Sequence, residues 1–398
     1  ATIDLEPQDI DEYYNGYANR TLWPLFHYRI DLTAYDRRFD KGYFRVNARF
    51  AHGLAPQLQP DDLIWVHDYH LIACAEELRR MGCEQRIGFF LHIPFPAPQV
   101  LLTLPNHQAL VRALFAYDLI GFQTESDLRA LRDYVVYEAL GKLLPDGRLA
   151  AFGRTIQAAV FPIGIDAEEM TTMTETGEAR RHYDRMRRSM ADRKLIIGVD
   201  RLDYTKGLPE RLAAFARLLD TYPDNHGHVT FLQIAPSSRP DVKDYVDIRE
   251  ELEGAAGRIN GQHADFDWMP VRYVNRSYAR RSLAGLYRAA DVALVTPLRD
   301  GMNLVAKEYV ACQNPDDPGV LVLSQFAGAA RQLDDALIVN PYDADDLVEG
   351  LQRALHMPLD ERKRRWETMM HNVSNEDVAA WRDDFVRALR AVPTTESP

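Results

Sequence analysis

The sequence predicts an α/β protein made of two doubly wound domains with parallel sheets. Strand-like and helix-like segments alternate almost throughout the chain. Most strand-like runs are apolar on both faces instead of alternating, as strands covered by helices on each side must be. At 398 residues the chain also exceeds the usual size of a single domain.

In the first part, strands are expected at "DLIWVH" (62–67), "RIGFFLH" (86–92), "YDLIGFQ" (117–123) and "AAVFPIG" (158–164). Helical patterns fall between them, for example at 72–81 and 125–140. The rhythm repeats with "KLIIGVD" (194–200), "HVTFLQIA" (228–235), "PVRYVN" (270–275), "DVALVT" (291–296), "VLVLSQ" (320–325) and "ALIVN" (336–340). Near "PIGIDAEE" a strand gives way to a polar stretch, which sets the expected boundary between domains 1–165 and 166–375. The segment 376–398 has helical spacing with no strand after it, and is expected to complete the first domain. A doubly wound domain usually opens with a strand, a Gly-rich turn and a helix. The opening "ATIDLEPQDIDEYYNGYANRTLWP" has no such unit, so the first domain reads as starting partway.

The net charge of −12 argues against a nucleic-acid footprint, which needs a basic face. It leaves room for a few arginines around one small anion. Apolar runs such as "LIIGV" are far too short to span a bilayer, and no secretory segment opens the chain. Cys74, Cys83 and Cys312 form neither a disulfide framework nor a metal-ligand spacing, so a cytoplasmic location is expected.

Several strand ends carry chemistry-bearing residues. In "GVDRLDYTKGLPERLAAF" (198–215), Arg201 and Lys206 sit between a buried strand and a helix starting near Pro209. They suit a diphosphate, although a merely basic loop would look the same. The glycine pattern is not that of a Walker loop. In "LRDGMNLVAKEYVA" (298–311), Asp300, Gly301 and Asn303 occupy a strand-to-helix turn, and Glu308 follows two helical turns on, near the same face. Taken alone, this stretch reads first as an ordinary cap by Asp300 or Asn303. "WVHDYHL" (65–71) brings His67, Asp68 and His70 to a strand end, and "FLHIPFP" brings His92 to another. No third ligand accompanies His67 and His70, and His92 alone would read as structural. Asp343 to Asp345 formally match a metal-binding D-x-D, but their place at a helix start makes capping the better reading. Arg239, beside two serines, is compatible with phosphate.

The ordered set "DEYYNGYANRTLWPLFHYR", "WVHDYHL", "GFFLHIPFP", "GFQTE", "FPIGID", "RLDYTKGLPERL", "IAPSSRPDV", "AGRING", "TPLRDGMNLVAKEYVA" and "GVLVLSQFAGAA" runs nearly end to end. It closely resembles the trehalose-6-phosphate synthase family of retaining glycosyltransferases. The resemblance implies the GT-B fold, two Rossmann-like domains with the active site in the cleft between them. It implies glucose transfer from a nucleotide sugar, usually UDP-glucose, to glucose 6-phosphate, giving trehalose 6-phosphate, with no metal or other cofactor. By the same resemblance Arg201 and Lys206 neutralise the donor diphosphate, and Glu308 holds the ribose. Asp300 binds the donor glucose, while amides of Asn303, Leu304 and Val305 meet the phosphates. Asp68 contacts the acceptor glucose, and His92 lies beside the reacting carbon. Tyr14, Trp23 and Arg239 form the acceptor-phosphate pocket. Catalysis is assigned to Arg201, Lys206, Asp300 and His92.

The expected partners are the nucleotide-glucose donor and glucose 6-phosphate, with neither nucleic acid nor membrane; a homo-oligomer is allowed. Related synthases with another acceptor such as glycerol 3-phosphate, pseudo-glycosyltransferases, and non-catalytic sugar-phosphate sensors are the alternatives. The donor base is left open among uracil, guanine and adenine. Family members begin with a strand ending in an Arg, then a Gly-rich loop; neither occurs here, and a truncated sequence is the expectation.

Overall fold

The computed structural model describes residues 2–237 and 243–393. Among these the chain divides into two compact units, 1–162 with 381–398, and 163–380.

The first unit holds a six-stranded sheet ordered β1(Leu63–His67), β2(Arg86–Phe90), β3(Leu119–Phe122), β6(Arg154–Val160), β5(Leu149–Ala151), β4(Lys142–Leu143). The pairs from β1 to β6 are parallel, while β5 and β4 add on antiparallel. The central β3 is buried at every residue, and β1, at the end of the strand order, alternates in exposure. The β4–β5 pair is absent from the sequence expectation. Its strands are very short, and β4 is exposed at both residues, so neither stands out as a buried run of strand length. The Asp146-Gly147 turn between them, with Gly147 at φ 85°, was the available signal. Residues 154–157 also belong to β6, which ends at Val160 and not at the predicted 164.

The helix Val378–Ala391 covers this sheet through Phe385 and Leu389, which are buried with Phe90 and Leu119. Gly88 makes the room: a Cβ there would lie 2.7 Å from the Phe385 ring. The opening stretch, which shows no strand, Gly-rich turn and helix unit, is helical. Pro7–Asp9, Ile10–Leu22 and Trp23–Phe26 run on, and the middle part is a wide helix in which the Trp23 N–H reaches the Ala18 carbonyl. Such i to i+5 geometry gathers at functional positions.

The second unit is an all-parallel sheet ordered β12(Leu337–Val339), β11(Val320–Ser324), β10(Val292–Val295), β7(Lys194–Val199), β8(Val229–Ile234), β9(Val271–Val274). Counted from its own first strand, this order is 6-5-4-1-2-3, the full dinucleotide-fold topology. β8, β10 and β11 are buried at every residue, as uninterrupted apolar runs require. The strand order reverses between β7 and β10, so their carboxyl ends open a crevice where ligands of such sheets bind.

Candidate functional site

The loops after β7 and β10 meet at this switch point. Lys206 ends the short turn Tyr204–Lys206, and its Nζ donates to Asp300 Oδ2 in an ion pair spanning 94 residues of sequence. The two side chains are only 12% and 14% exposed, so water screens the pair weakly. Burial alone would lower the Lys206 pKa, but Asp300, Asp200 and Asp203 outweigh it and hold the ammonium above its ordinary range. The loop can turn here because Gly207 adopts φ 66°, with Thr296 O only 2.4 Å from where a Cβ would stand. The helix Leu208–Thr221 follows, with Pro209 in its first turn.

Asn303 occupies the position before the helix Leu304–Cys312, yet the structure corrects the reading of an ordinary cap. Its backbone is left-handed, at φ 77°, and its side chain makes no cap hydrogen bond. Instead Nδ2 donates to Asp300 Oδ2 at 3.1 Å. The first amides of a helix have no intrahelical acceptor, so those of Leu304 and Val305 are suited to an anion. Segment 326–329 braces the turn: Asp300 N–H donates to Phe326 O (3.1 Å) and Ala329 N–H to Met302 O (2.8 Å). Glu308, one turn into this helix, is 19% exposed and lies 3.9 Å from Arg280. Burial raises its pKa and the Arg280 charge opposes that. Arg201 is exposed just past β7. Arg239 lies outside the described residues.

Sequence reasoning missed the residue that anchors this loop. Arg211 is fully buried; Nη1 donates to Asp200 Oδ2 (2.6 Å), Nε to Thr296 Oγ1 (2.9 Å) and Nη2 to the Lys206 carbonyl (3.0 Å). One guanidinium therefore ties the ends of β7 and β10 to the Lys206 backbone. The signal was a charged residue on the apolar face of a helix, beside Leu208, Leu212 and Phe215. Asp203 assists, accepting from Thr205 N–H at 3.0 Å and from the Tyr245 hydroxyl at 3.2 Å.

In the first unit, Asp68 and His92 close adjacent parallel strands, β1 and β2. Asp68 holds φ 71° and ψ 165°, a conformation that costs a non-glycine residue about 1–3 kcal/mol and gathers at functional sites. Its N–H donates to Phe90 O at 2.8 Å, and its Oδ1 accepts from the His92 N–H at 3.3 Å. His92 is not alone: its Nε2 is 3.0 Å from His67 Nδ1. Burial, then the neighbouring His67, pushes the His92 pKa down to about 4, so its ring is neutral near pH 7. His67 therefore serves His92 and not His70, which stacks on Tyr14 with centroids 5.7 Å apart. Tyr14 is exposed, whereas Trp23 is buried against His27 and Tyr69. Tyr69 joins them, with its ring 4.0 Å from His70 and its hydroxyl donating to Asn19.

Asp343 caps its helix by accepting from the N–H groups of Asp345 and Asp346. Among the described residues no group of three or more His, Cys, Asp and Glu side chains is placed to hold a metal ion. No described helix is long and apolar enough to cross a membrane.

The model of glycosyltransferase family 20 matches residues 1–391. The chain belongs to glycosyltransferase family 20. A relative from Sinorhizobium fredii, a trehalose-6-phosphate synthase, is 52% identical over 391 residues, 98% of this chain and 84% of the relative. Among solved structures, an α,α-trehalose-phosphate synthase (UDP-forming) from Burkholderia xenovorans in complex with glucose-6-phosphate is 55% identical. It covers 98% of this chain and 86% of its own, with a TM-score of 0.96. An E. coli protein bound with UDP-2-fluoro glucose is 47% identical, covers 98% and 86%, and also has a TM-score of 0.96. With these neighbours, the two parallel-sheet units are those of the GT-B fold class.

Proposed function

We propose that this family 20 chain transfers glucose from UDP-glucose to glucose 6-phosphate, forming trehalose 6-phosphate and UDP with retention. The observation that carries the reading is the Lys206–Asp300–Asn303 cluster at the switch point, in a chain about half identical to UDP-forming synthases over its whole length.

The bond from the glucose C1 to the β-phosphate breaks, and an acceptor hydroxyl bonds to C1 on the same face. The hydroxyl proton passes to the departing phosphate oxygen. Negative charge grows on that phosphate, and donors already fixed in a poorly hydrated site stabilise such charge best. Lys206, Arg201 and the amides of Asn303 to Val305 are those donors. Lys206 can turn from Asp300 toward the diphosphate, releasing the Asp300 carboxylate to accept from a hydroxyl of the transferred glucose. Glu308 accepts from the ribose hydroxyls. His92, neutral near pH 7, orients by hydrogen bonding without giving up a full charge. Asp68 binds the acceptor sugar, and Tyr14, Trp23 and Arg239 serve its phosphate. Cys74, Cys83 and Cys312 are all free thiols, which suits a reducing cytoplasm.

The test is nucleotide release and product identification with glucose 6-phosphate and each of UDP-, GDP- and ADP-glucose. UDP-glucose should be the best donor. Lys206→Ala and Arg201→Ala should each cut kcat by about 10²- to 10³-fold, the usual effect of losing one such donor. Near-normal turnover in both variants would exclude this assignment.

A further inference from the structure

The first unit carries a second concave site, at the opposite ends of its strands from Asp68 and His92. A groove of about 340 Å³ is lined by Glu76, Arg79, Arg80, Arg112, Arg154 and Phe152, with Phe115 and Ala116 at its base. Arg154 opens β6, and Asp118, just before β3, receives the Ile87 N–H at 2.7 Å, so the groove lies by the amino ends. At about 3.3 Å per residue, one strand length separates it from the residues after β1 and β2.

Four arginines face a single glutamate in the lining of a chain whose net charge is −12. They are unequally engaged. Arg79 donates to the carbonyls of Ala116, Cys83 and Gln85 and to Asp118 Oδ2 at 2.7 Å, so it builds the wall. Arg80 is held by Glu76 and Glu77. Among the described residues Arg154 pairs with a carboxylate only through a 3.3 Å contact with the other oxygen of Asp118, which Arg79 already shares. No described carboxylate pairs with Arg112, whose guanidinium lies 5.6 Å from the centre of the Phe152 ring. Burial and repulsion from Arg79 lower the Arg154 pKa, so another negative charge would be welcome there.

A second observation is independent of charge. Phe152 and Gly153 form the two-residue turn between β5 and β6, both at positive φ, 52° and 77°. Turns of this kind take Asn-Gly or Asp-Gly, and a bulky residue at the first position is strained. The Phe152 ring is nevertheless held in the groove, edge to face with Phe115 at 5.4 Å. Strain retained in a half-buried hairpin points to a use for the ring.

We infer that this groove binds a phosphate monoester, with Arg112 and Arg154 gripping the phosphate and the Phe152 ring covering its organic part. Guanidinium groups suit phosphate because their planar donors match its oxygens.

The experiment is hydrogen exchange on the full chain with inorganic phosphate, phenyl phosphate and phenol as probes. Phenyl phosphate should protect segments 112–118 and 149–156. Arg112→Ala with Arg154→Ala should weaken that protection about a hundredfold in concentration, near tenfold per charge-assisted contact. Lys206→Ala, which removes a proposed donor-site residue, should leave it intact. Phe152→Asn relieves the turn, so it should fold at least as well while losing the preference for phenyl phosphate over inorganic phosphate. Equal affinity for those two probes in the parent chain would overturn the monoester in favour of free phosphate. Absence of local protection, or protection that survives the double arginine variant, would overturn the site itself.

Discussion

Replacing Arg211 with methionine removes the guanidinium that joins β7, β10 and the Lys206 loop, while keeping most of the side-chain volume. The structure sets the size of the effect. Arg211 is fully buried, and Asp200, its partner at 2.6 Å, is only 6% exposed. Methionine would leave that carboxylate buried without its counter-ion and the Thr296 hydroxyl and Lys206 carbonyl short of a donor. Breaking such a buried pair costs about 3–5 kcal/mol. For a unit of this size that lowers Tm by roughly 6–20 °C, followed by circular dichroism and checked against denaturant midpoints. The companion variant Asp200→Asn with Arg211→Met removes both charges, and paired removal is often close to neutral. The double variant should therefore recover most of the lost stability but not the turnover, because the Lys206 backbone stays unanchored. If Arg211→Met costs less than about 1 kcal/mol, or the double variant is no more stable than the single, the network does not position Lys206.

Gly207→Ala adds a Cβ at φ 66° and 2.4 Å from Thr296 O, so a stability loss of about 2 kcal/mol or more is expected in urea unfolding; a change near zero would mean the loop is free to move. Glu308→Gln should raise KM for the nucleotide sugar with less effect on kcat, in steady-state kinetics, since the proposed ribose contact would persist from ground to transition state. His92, neutral when folded with a pKa of about 4, ionises near 6.5 when unfolded. Protonation therefore favours the unfolded chain, and stability should fall as pH drops from about 6.5 toward 4, by up to about 3 kcal/mol. His92→Gln should flatten that part of the profile, and an unchanged acid limb would assign the loss to other groups.

What the sequence determined by itself was local. Burial of both faces of a strand leaves an uninterrupted apolar run, and from such runs every parallel strand was legible to within a few residues, apart from the early start and end of β6. Loops at their carboxyl ends could be searched for charge, which brought forward Arg201 and Lys206. The Asp300 turn read first as an ordinary cap and His92 as structural, and the site roles of Asp300, Glu308, Asp68 and His92 were implied only by the family resemblance. Features without a strong local pattern escaped: the β4–β5 pair, too short and too exposed, and the wide helix Ile10–Leu22, whose period is not that of an α-helix.

Only the tertiary structure decided which strand ends meet. Nothing in "KLIIGVD" or "DVALVT" says that β7 lies beside β10, because strand order is fixed by nonlocal packing. That order brings Lys206 to Asp300 and places Arg211 under both loops. It likewise joined His92 to His67 in place of leaving each alone, and turned Asn303 from a presumed cap into a partner of Asp300. The chemistry was written in residue types along the chain; its geometry came from contacts between residues far apart in it.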